Sequence, residues 1–402
     1  MVMKKSILWI APYVPYKKVS HAGGKNLNYY INYVNDTGKF DITFIGLGYD
    51  KEREQVELED KGIKTDVYYR DHSNVDYIIR RIVSGFTLLN PWTKYARQLF
   101  LYEHIQLSKR IAKYDKSGGK PDIVILQWTS MGLIMPEIKK RFPNAKYILI
   151  EEDVTYLGYQ RKYEANRTKQ WKRLYSILKK QELIAIKNCD LTVALNPKDK
   201  ELLIQDGIPP EKIYTSISYF DDYSDVQRKP IPGKLLFYGA MDRMENYVSA
   251  IEFVENVMPL LKKNNCTLDI VGSKPNSKLI VVAERYDNVN ITGFVEDIRP
   301  YLSGAMCLVA PLKFGAGIKI KILEAMSAGL PVLTNKIGIE GIYAENGKDY
   351  IHCETSEDYK DTIIDLCQNT EKVASIGSNA NRYISENYDR DKKIQGLLKI
   401  IE

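Results

Sequence analysis

Residues 315 to 334, GAGIKIKILEAMSAGLPVLT, gather side chains suited to holding a phosphorylated ligand. A strand reads to Pro311, a loop carrying Gly315 and Gly317 follows, and a helix opens near Ile318 with Lys319, Lys321 and Glu324 in its first turns. Glycine lets the backbone come close to a ligand, and the free amides of a helix start, with the positive end of its dipole, attract phosphate. Lys319 and Lys321 add direct charge. Two positions apart on a helix they cannot share a face, so at most one points straight at a diphosphate. The Glu324 carboxylate can accept two hydroxyl hydrogen bonds, as a ribose offers. The plainer reading is that the glycines only make a turn and that Glu324 caps or pairs.

The first half of the chain offers acids instead. The strand YILIEED ends in Glu151, Glu152 and Asp153, followed by Thr155 and Tyr156. Carboxylates at the carboxyl end of a strand suit hydroxyl-bearing ligands, and Asp153 and Glu152 are taken together as the catalytic candidates. The alternative is that Asp153 is the N-cap of the next helix. Gly23 and Gly24, in SHAGGKNLNYYINYV, open an amphipathic helix soon after the first strand. A glycine pair also suits an ordinary turn. His21 beside it either bonds a substrate or lies exposed, and Gln127 and Trp128, ending the strand DIVILQW, are candidates for a wall of the site.

The elements that must position these residues alternate. Strands read at ILWIAP, DITFIGL, DIVILQW, YILIEED and LTVALN, with helical stretches between them. The segment QRKPIPGK, residues 227 to 234, reads as a linker, and the alternation restarts at once: LLFYG, TLDIVG, NVNITG, MCLVAP and PVLT are strands of a second series. This is an α/β chain with two doubly wound parallel sheets. The expected divisions are 1–228, 229–385, and a helical segment 386–402 able to return to the first domain. Ligands of such sheets bind at the carboxyl ends of the strands, so the expected site is a cleft drawing on both domains.

Composition sets bounds on partners. A chain of 402 residues, 44% hydrophobic and 27% charged, is globular and too long for one core. MVMKKSILWIAPYVP has too short an apolar run, and no cleavage site, for a signal peptide, and about 18 uninterrupted apolar residues occur nowhere. The five cysteines are scattered and the four histidines dispersed, which suits reduced thiols in a cytosol and suggests no metal site. Of the net charge of +7, residues 1–228 hold 37 basic against 28 acidic side chains and the remainder 21 against 23. A basic half suits an anionic membrane surface, with solvated surface charge as the alternative; no reader motif supports nucleic acid. Residues 161 to 180 contain eight basic residues and one acid, with Trp171, Leu174, Tyr175 and Leu178 at helical spacing. Such a helix lies on anionic lipid or turns its stripe to its own core. Residues 78 to 101 repeat the mixture.

The whole run from Pro311, through Lys-x-Lys, Glu-Ala-Met and small-Gly-x-Pro-Val, to KIGIEGI resembles the signature of retaining glycosyltransferases of the GT-B fold, the group 1 or family 4 class. The resemblance continues over 234–342 in FYGAMDRMEN, DIVGSKP and ITGFVEDIRPYL, and is looser in the first half. It implies two Rossmann-like domains, a nucleotide-sugar donor, most simply a UDP-sugar, and a glycan, lipid-linked or protein-linked acceptor, with retention at the anomeric carbon. Glu324 would bind the ribose, and Gly315 and Gly317 would support the diphosphate and sugar. A second glutamate of many members falls on Ala316 here, as in a subgroup with Gly-x-Gly-x-Lys-x-Lys, so sugar contacts must come from elsewhere. Members with Arg and Lys after the first strand of the second domain are matched by Ala240 and Glu245, leaving Lys319, Lys321 and Arg243 to offset the diphosphate. Gly23 and Gly24 would face the donor phosphates, His21, Gln127 and Trp128 the acceptor, and Asp153 and Glu152 the reacting sugar. No metal or other cofactor is expected, and the expected location is the cytoplasm, either free or peripheral on the inner membrane face. A nucleotide-sugar epimerase and a non-catalytic partner subunit of the same fold are the rival readings.

Overall fold

Seven strands pair in parallel into a first sheet: β1 (Lys5–Ala11), β2 (Phe40–Tyr49), β3 (Lys64–Arg70), β4 (Ile123–Gln127), β5 (Lys146–Glu151), β6 (Leu191–Ala194) and β7 (Ile213–Thr215), in the order β3-β2-β1-β4-β5-β6-β7. The computed structural model describes residues 4–19, 21–70, 77–79, 81–83, 98–314 and 317–402. Parallel strands are covered on both faces, which is why the central ones read as continuous apolar runs. Ile7 to Ala11 are all buried. Alternate residues of β1 serve opposite faces. Ile7, Trp9 and Ala11 pack with Leu27, Tyr30 and Val34 of the helix Ala22–Asp36, whereas Leu8 and Ile10 pack with Leu107 and Ile111 of the helix Leu101–Lys116.

The second sheet holds β8 (Lys234–Tyr238), β9 (Thr267–Val271), β10 (Val289–Gly293), β11 (Cys307–Ala310), β12 (Val332–Thr334) and β13 (Ile351–His352), in the order β10-β9-β8-β11-β12-β13, again parallel. All ten strands read from the sequence are present. The three additional ones, β3, β7 and β13, are sheet edges. β7 and β13 are three and two residues long, and β3 is half-buried with polar residues, so none carries the apolar run that marks a central strand.

Contacts divide the chain into unit 1, the residues up to Tyr219 with Arg390–Glu402, and unit 2, Phe220–Asp389. The division falls ahead of the proline-rich segment because residues 221 to 228 are bonded within unit 2. The Tyr223 amide donates to Ser327 Oγ at 3.0 Å, and the Arg228 guanidinium donates to the carbonyls of Leu302, Ser303 and Ala305. At the other end the helix Arg390–Ile401 places Ile394, Leu397, Leu398 and Ile401 in the core of unit 1.

In each sheet the strand order reverses beside the first strand, between β1 and β4 and between β8 and β11. Crevices at the carboxyl ends of such strand pairs are where ligands of this architecture bind. No helix among the described residues is long and apolar enough to cross a membrane.

Candidate functional site

In unit 2 the chain leaves β11 toward a short helix, Ile320–Ser327. It starts two residues later than the pattern suggests, so Lys319 stands just ahead of the first turn, with no side-chain cap. Gly315 and Ala316 lie outside the described residues. Gly317 has a φ of 69°, in the left-handed region that favours glycine. Lys319 turns back, its ammonium donating to the Gly317 carbonyl at 2.6 Å and lying 3.9 Å from Glu340.

Lys321, on the helix itself, goes elsewhere. Its Nζ donates to Asn246 Oδ1 at 2.6 Å and lies 4.8 Å from the centre of the Phe237 ring, while Asn246 Nδ2 donates to the Ala240 carbonyl at 2.9 Å. The ammonium is thereby tucked under the loop after β8. A Cβ placed on Gly239 would come within 3.2 Å of it. That loop is where the resemblance expects a cation and where Ala240 and Glu245 supply none. Burial lowers Lys321 from its ordinary value to about 7, with Lys319 adding to the effect and Glu245 and Glu324 opposing it.

Glu324, one turn further on, is 8% exposed. Its Oε2 accepts from the Tyr238 hydroxyl at 3.2 Å and its Oε1 from the Asp221 amide at 3.4 Å. Tyr238, the last residue of β8, also lies 2.7 Å from the Lys321 carbonyl, so one phenol ties the strand to this helix. Burial first, and then the nearby Glu324 carboxylate, push the Tyr238 hydroxyl well up. Arg243 is more than half exposed, 3.6 Å from Glu245. Lys321 and Glu324 therefore come together around Tyr238 and Asn246, whereas Lys319 and Arg243 stand to either side. Tyr238 and Asn246 lie within FYGAMDRMEN, a segment the resemblance covers, but neither is a residue that the sequence reading singles out.

In unit 1 the residues named after β1, β4 and β5 form one cluster. His21 caps the helix Ala22–Asp36, its Nδ1 accepting from the Gly24 amide at 3.0 Å. Gly23 is glycine because the indole of Trp128 lies against it: a Cβ there would come within 2.0 Å of the ring. A Cβ on Gly24 would meet Val19 and His21. Both glycines thus serve close packing. Trp128 itself has a φ of 81°, an outlier for a bulky residue, and its ring is 5.3 Å from that of Tyr13, which in turn is 4.5 Å from His21.

Glu152 is held by two amides. Gln127 Nε2 donates to its Oε1 at 2.5 Å, and Asn26 Nδ2 donates to its Oε2. Asn26 also accepts from the Tyr219 amide. Burial pushes Glu152 up to about 8, Asp153 raises it further, and the two amide bonds oppose the rise.

Glu151 and Glu182 make a buried pair behind it, 2% and 0% exposed. The two Glu182 oxygens accept from the amides of Thr155 and Tyr156 at 2.8 and 2.9 Å. Thr129 Oγ1 lies 2.5 Å from Glu151 and 3.3 Å from Glu182. Burial raises both acids, with repulsion from Glu182 added at Glu151 and from Asp153 at Glu182, but the amides and the helix start favour charge on Glu182, so Glu151 keeps the proton. This overturns the N-cap alternative for Asp153. The helix Thr155–Asn166 follows Val154, its first amides are taken by Glu182, and Asp153 instead accepts from the Thr155 hydroxyl at 3.4 Å.

Asn26 and Glu182 did leave a trace in the sequence. Asn26 sits on the apolar stripe of its helix with Leu27 and Tyr30, and Glu182 follows Leu174 and Leu178 at intervals of four on the buried face of Lys169–Asn188. A polar residue in an apolar stripe needs a partner. The basic stretch 161–180 is two helices, broken at Arg167, whose φ is 49°. Leu174 and Leu178 face the unit's core, Trp171 packs edge-on to Tyr159 at 6.0 Å, and Lys179 pairs with Asp206 at 2.7 Å. Of the stretch 78–101, residues 80 and 84–97 lie outside the described residues; Ile78, Ile79 and Ile82 are exposed.

Residues 232–369 match the family described as glycosyl transferases group 1. A stretch of 174 residues is 27% identical to an uncharacterized 44.6 kDa protein in the cps region of Klebsiella pneumoniae, covering 41% of this chain and 45% of that one. Over 362 residues, 83% of the chain and 81% of the relative, it is 25% identical to a probable sucrose-phosphate synthase of Thermosipho melanesiensis. The crystal structure of Anabaena HepE in complex with UDP superposes with a TM-score of 0.66 at 15% identity over 99% of both chains. The two parallel sheets with their flanking helices are those of the GT-B fold.

Proposed function

We propose that this chain, whose residues 232–369 match the family of group 1 glycosyl transferases, moves a sugar from a nucleoside-diphosphate donor, a UDP-sugar, to a glycan, lipid-linked or protein-linked acceptor with retention at the anomeric carbon. The observation that carries the reading is the placing of both Glu324, bonded to Tyr238, and Lys321, bonded to Asn246, near the reversal point of the second sheet. A carboxylate at this point is the kind of acceptor that the two hydroxyls of a ribose require. A lysine tucked under the glycine loop after β8 stands where a diphosphate would press its charge. The UDP in the HepE complex supports uridine as the base, and the sucrose-phosphate synthase relative supports a sugar acceptor.

Transfer requires that the charge on the departing diphosphate be offset as it develops. Lys321, with the amides at the start of Ile320–Ser327, does this without a metal, and an anion beside Lys321 draws a proton onto it. In unit 1 Glu152 and Asp153 serve the sugar and the acceptor hydroxyl, and Trp128, His21 and Gln127 shape the acceptor side. Retention rests on the family resemblance.

The test is calorimetry with UDP, GDP, ADP and CMP, followed by slow hydrolysis of a panel of UDP-sugars with and without EDTA. Binding of UDP ahead of the others, and hydrolysis indifferent to EDTA, are the expected results. Failure to bind any nucleotide would sink the enzyme reading and leave the non-catalytic partner. Flotation with liposomes of neutral or anionic lipid tests attachment of unit 1 to a membrane; equal binding to both removes anionic lipid as a partner.

A further inference from the structure

Cys266 and Cys367 are 101 residues apart in the sequence, yet their sulfurs lie 3.9 Å apart in unit 2. Cys266 immediately precedes β9, at the amino-terminal edge of the sheet, and Cys367 is in the last turn of the helix Ser356–Gln368. The two differ in access. Cys266 is 1% exposed, whereas Cys367 is partly open to solvent. Burial and the neighbouring Cys367 push the Cys266 thiol up to about 12, which makes it a poor first nucleophile. Cys307, at the start of β11, is completely enclosed, and Cys353 bonds Thr362 Oγ1 at 3.5 Å. Only the Cys266–Cys367 pair combines sulfur contact with a partly exposed member among the described residues.

We infer that Cys266 and Cys367 form an oxidation site, a dithiol that a peroxide converts into an intramolecular disulfide across unit 2. The Cys367 thiolate attacks one oxygen of hydrogen peroxide; the S–O bond forms, the O–O bond breaks, and hydroxide leaves, taking a proton to become water. The Cys266 sulfur then attacks the sulfenic sulfur. The S–S bond forms, the S–O bond breaks, and the second hydroxide leaves with the Cys266 proton as water. Two thiols lose two electrons, and one peroxide becomes two waters.

The bridge would tie the helix Ser356–Gln368 to the sheet edge and close a long loop, which raises stability chiefly by restricting the unfolded chain. It lies at the amino ends of β9 and its neighbours, whereas Glu324 and Lys321 lie at the carboxyl ends of β8 and β11. Oxidation is therefore expected to leave UDP affinity unchanged.

Fully reduced protein is exposed to hydrogen peroxide, alkylated, digested and analysed by mass spectrometry, in parallel with the Cys367→Ser and Cys266→Ser variants. The expected result is a linked pair of peptides carrying Cys266 and Cys367, two hydrogens lighter than the thiols and released by dithiothreitol, with Cys189 still alkylated. The melting temperature rises by roughly 5–10 °C in the wild type and in neither variant. Oxidation of Cys367 to sulfinic or sulfonic acid without the linked peptide, or a bridge to Cys307 or Cys353, overturns the proposal. So does a protein whose thiols all stay alkylatable. UDP binding before and after oxidation keeps this test separate from the proposed transfer, because the linked peptide forms or fails to form whether or not a nucleotide binds.

Discussion

The two sheets share a strand order and a reversal point, but the chemistry they gather there is opposite. In unit 1 the acidic groups come from the end of a strand and its neighbouring helix, and they are enclosed: Glu152 by two amides, Glu182 by two backbone N–H groups, Glu151 by Thr129. In unit 2 the strand end supplies a phenol, and the charges come from the helix after β11, as Lys321 and Glu324. Burial acts on both sets in the same physical way and with opposite sign. It favours the protonated form of Glu151 and Glu152 in unit 1 and the neutral form of Lys321 in unit 2. The fold therefore fixes where the strand order reverses, and the side chains decide which charge a ligand would meet there.

Four tests would break or sharpen that contrast. The largest separates binding from transfer. Glu324→Ala should weaken UDP binding roughly 100-fold, because hydrogen bonds to a charged acceptor are worth about 1.5–3 kcal/mol each. Glu152→Ala should leave UDP affinity within about twofold and slow transfer by roughly 100-fold, the usual scale of a positioned acid or base. Equal losses of affinity in the two variants would erase the division of roles.

Next is Lys321→Met, expected to weaken UDP binding about tenfold, or about 1.4 kcal/mol. The wild type should also take up a proton on binding UDP at pH 8, as the diphosphate draws charge onto a lysine whose own value is about 7. Calorimetry in two buffers of different ionisation enthalpy measures that uptake. A proton count of zero would place the diphosphate away from Lys321.

The pH dependence of stability gives a smaller signal with opposite slopes. Glu152 rises from 4.5 to about 8, so between those values the folded chain holds more protons than the unfolded one, and stability falls as pH rises through the window. Lys321 drops from 10.5 to about 7, so between pH 7 and 10.5 the folded chain holds fewer protons, and stability grows with pH. Melting temperatures across pH 5 to 10 should show a smaller acid-side slope in Glu152→Gln and a smaller basic-side slope in Lys321→Met. Slopes unchanged by either substitution would mean that other groups carry the titration.

The smallest expected effect on UDP affinity is that of Gly23→Ala. Its methyl group would meet the Trp128 indole, and overpacking of this kind costs about 1–3 kcal/mol. A drop in melting temperature with UDP affinity intact is the expected outcome, read by thermal denaturation and calorimetry. Weaker UDP binding would instead give the glycines the direct ligand role that the family resemblance assigns to them.

What the sequence determined is the periodic part. Central parallel strands must be apolar on both faces, so Ile7 to Ala11, Ile123 to Gln127 and Tyr147 to Glu151 announced themselves, whereas the edge strands β3, β7 and β13, with less to bury, did not. The run through Lys321 and Glu324 was legible for a similar reason: glycines, a helix start and a carboxylate at fixed spacing are local features. Tertiary structure alone decided which partners meet. Lys321 and Lys319 look alike in sequence, and only the packing of the helix against β8 sends one to Asn246 and the other back to Gly317. Glu182 is 27 residues from the amide of Thr155, and Asn26 is 126 residues from Glu152. The sequence shows a polar residue on a buried face and so the need for a partner; the partner's identity is a matter of distance in space, which spacing along the chain does not encode.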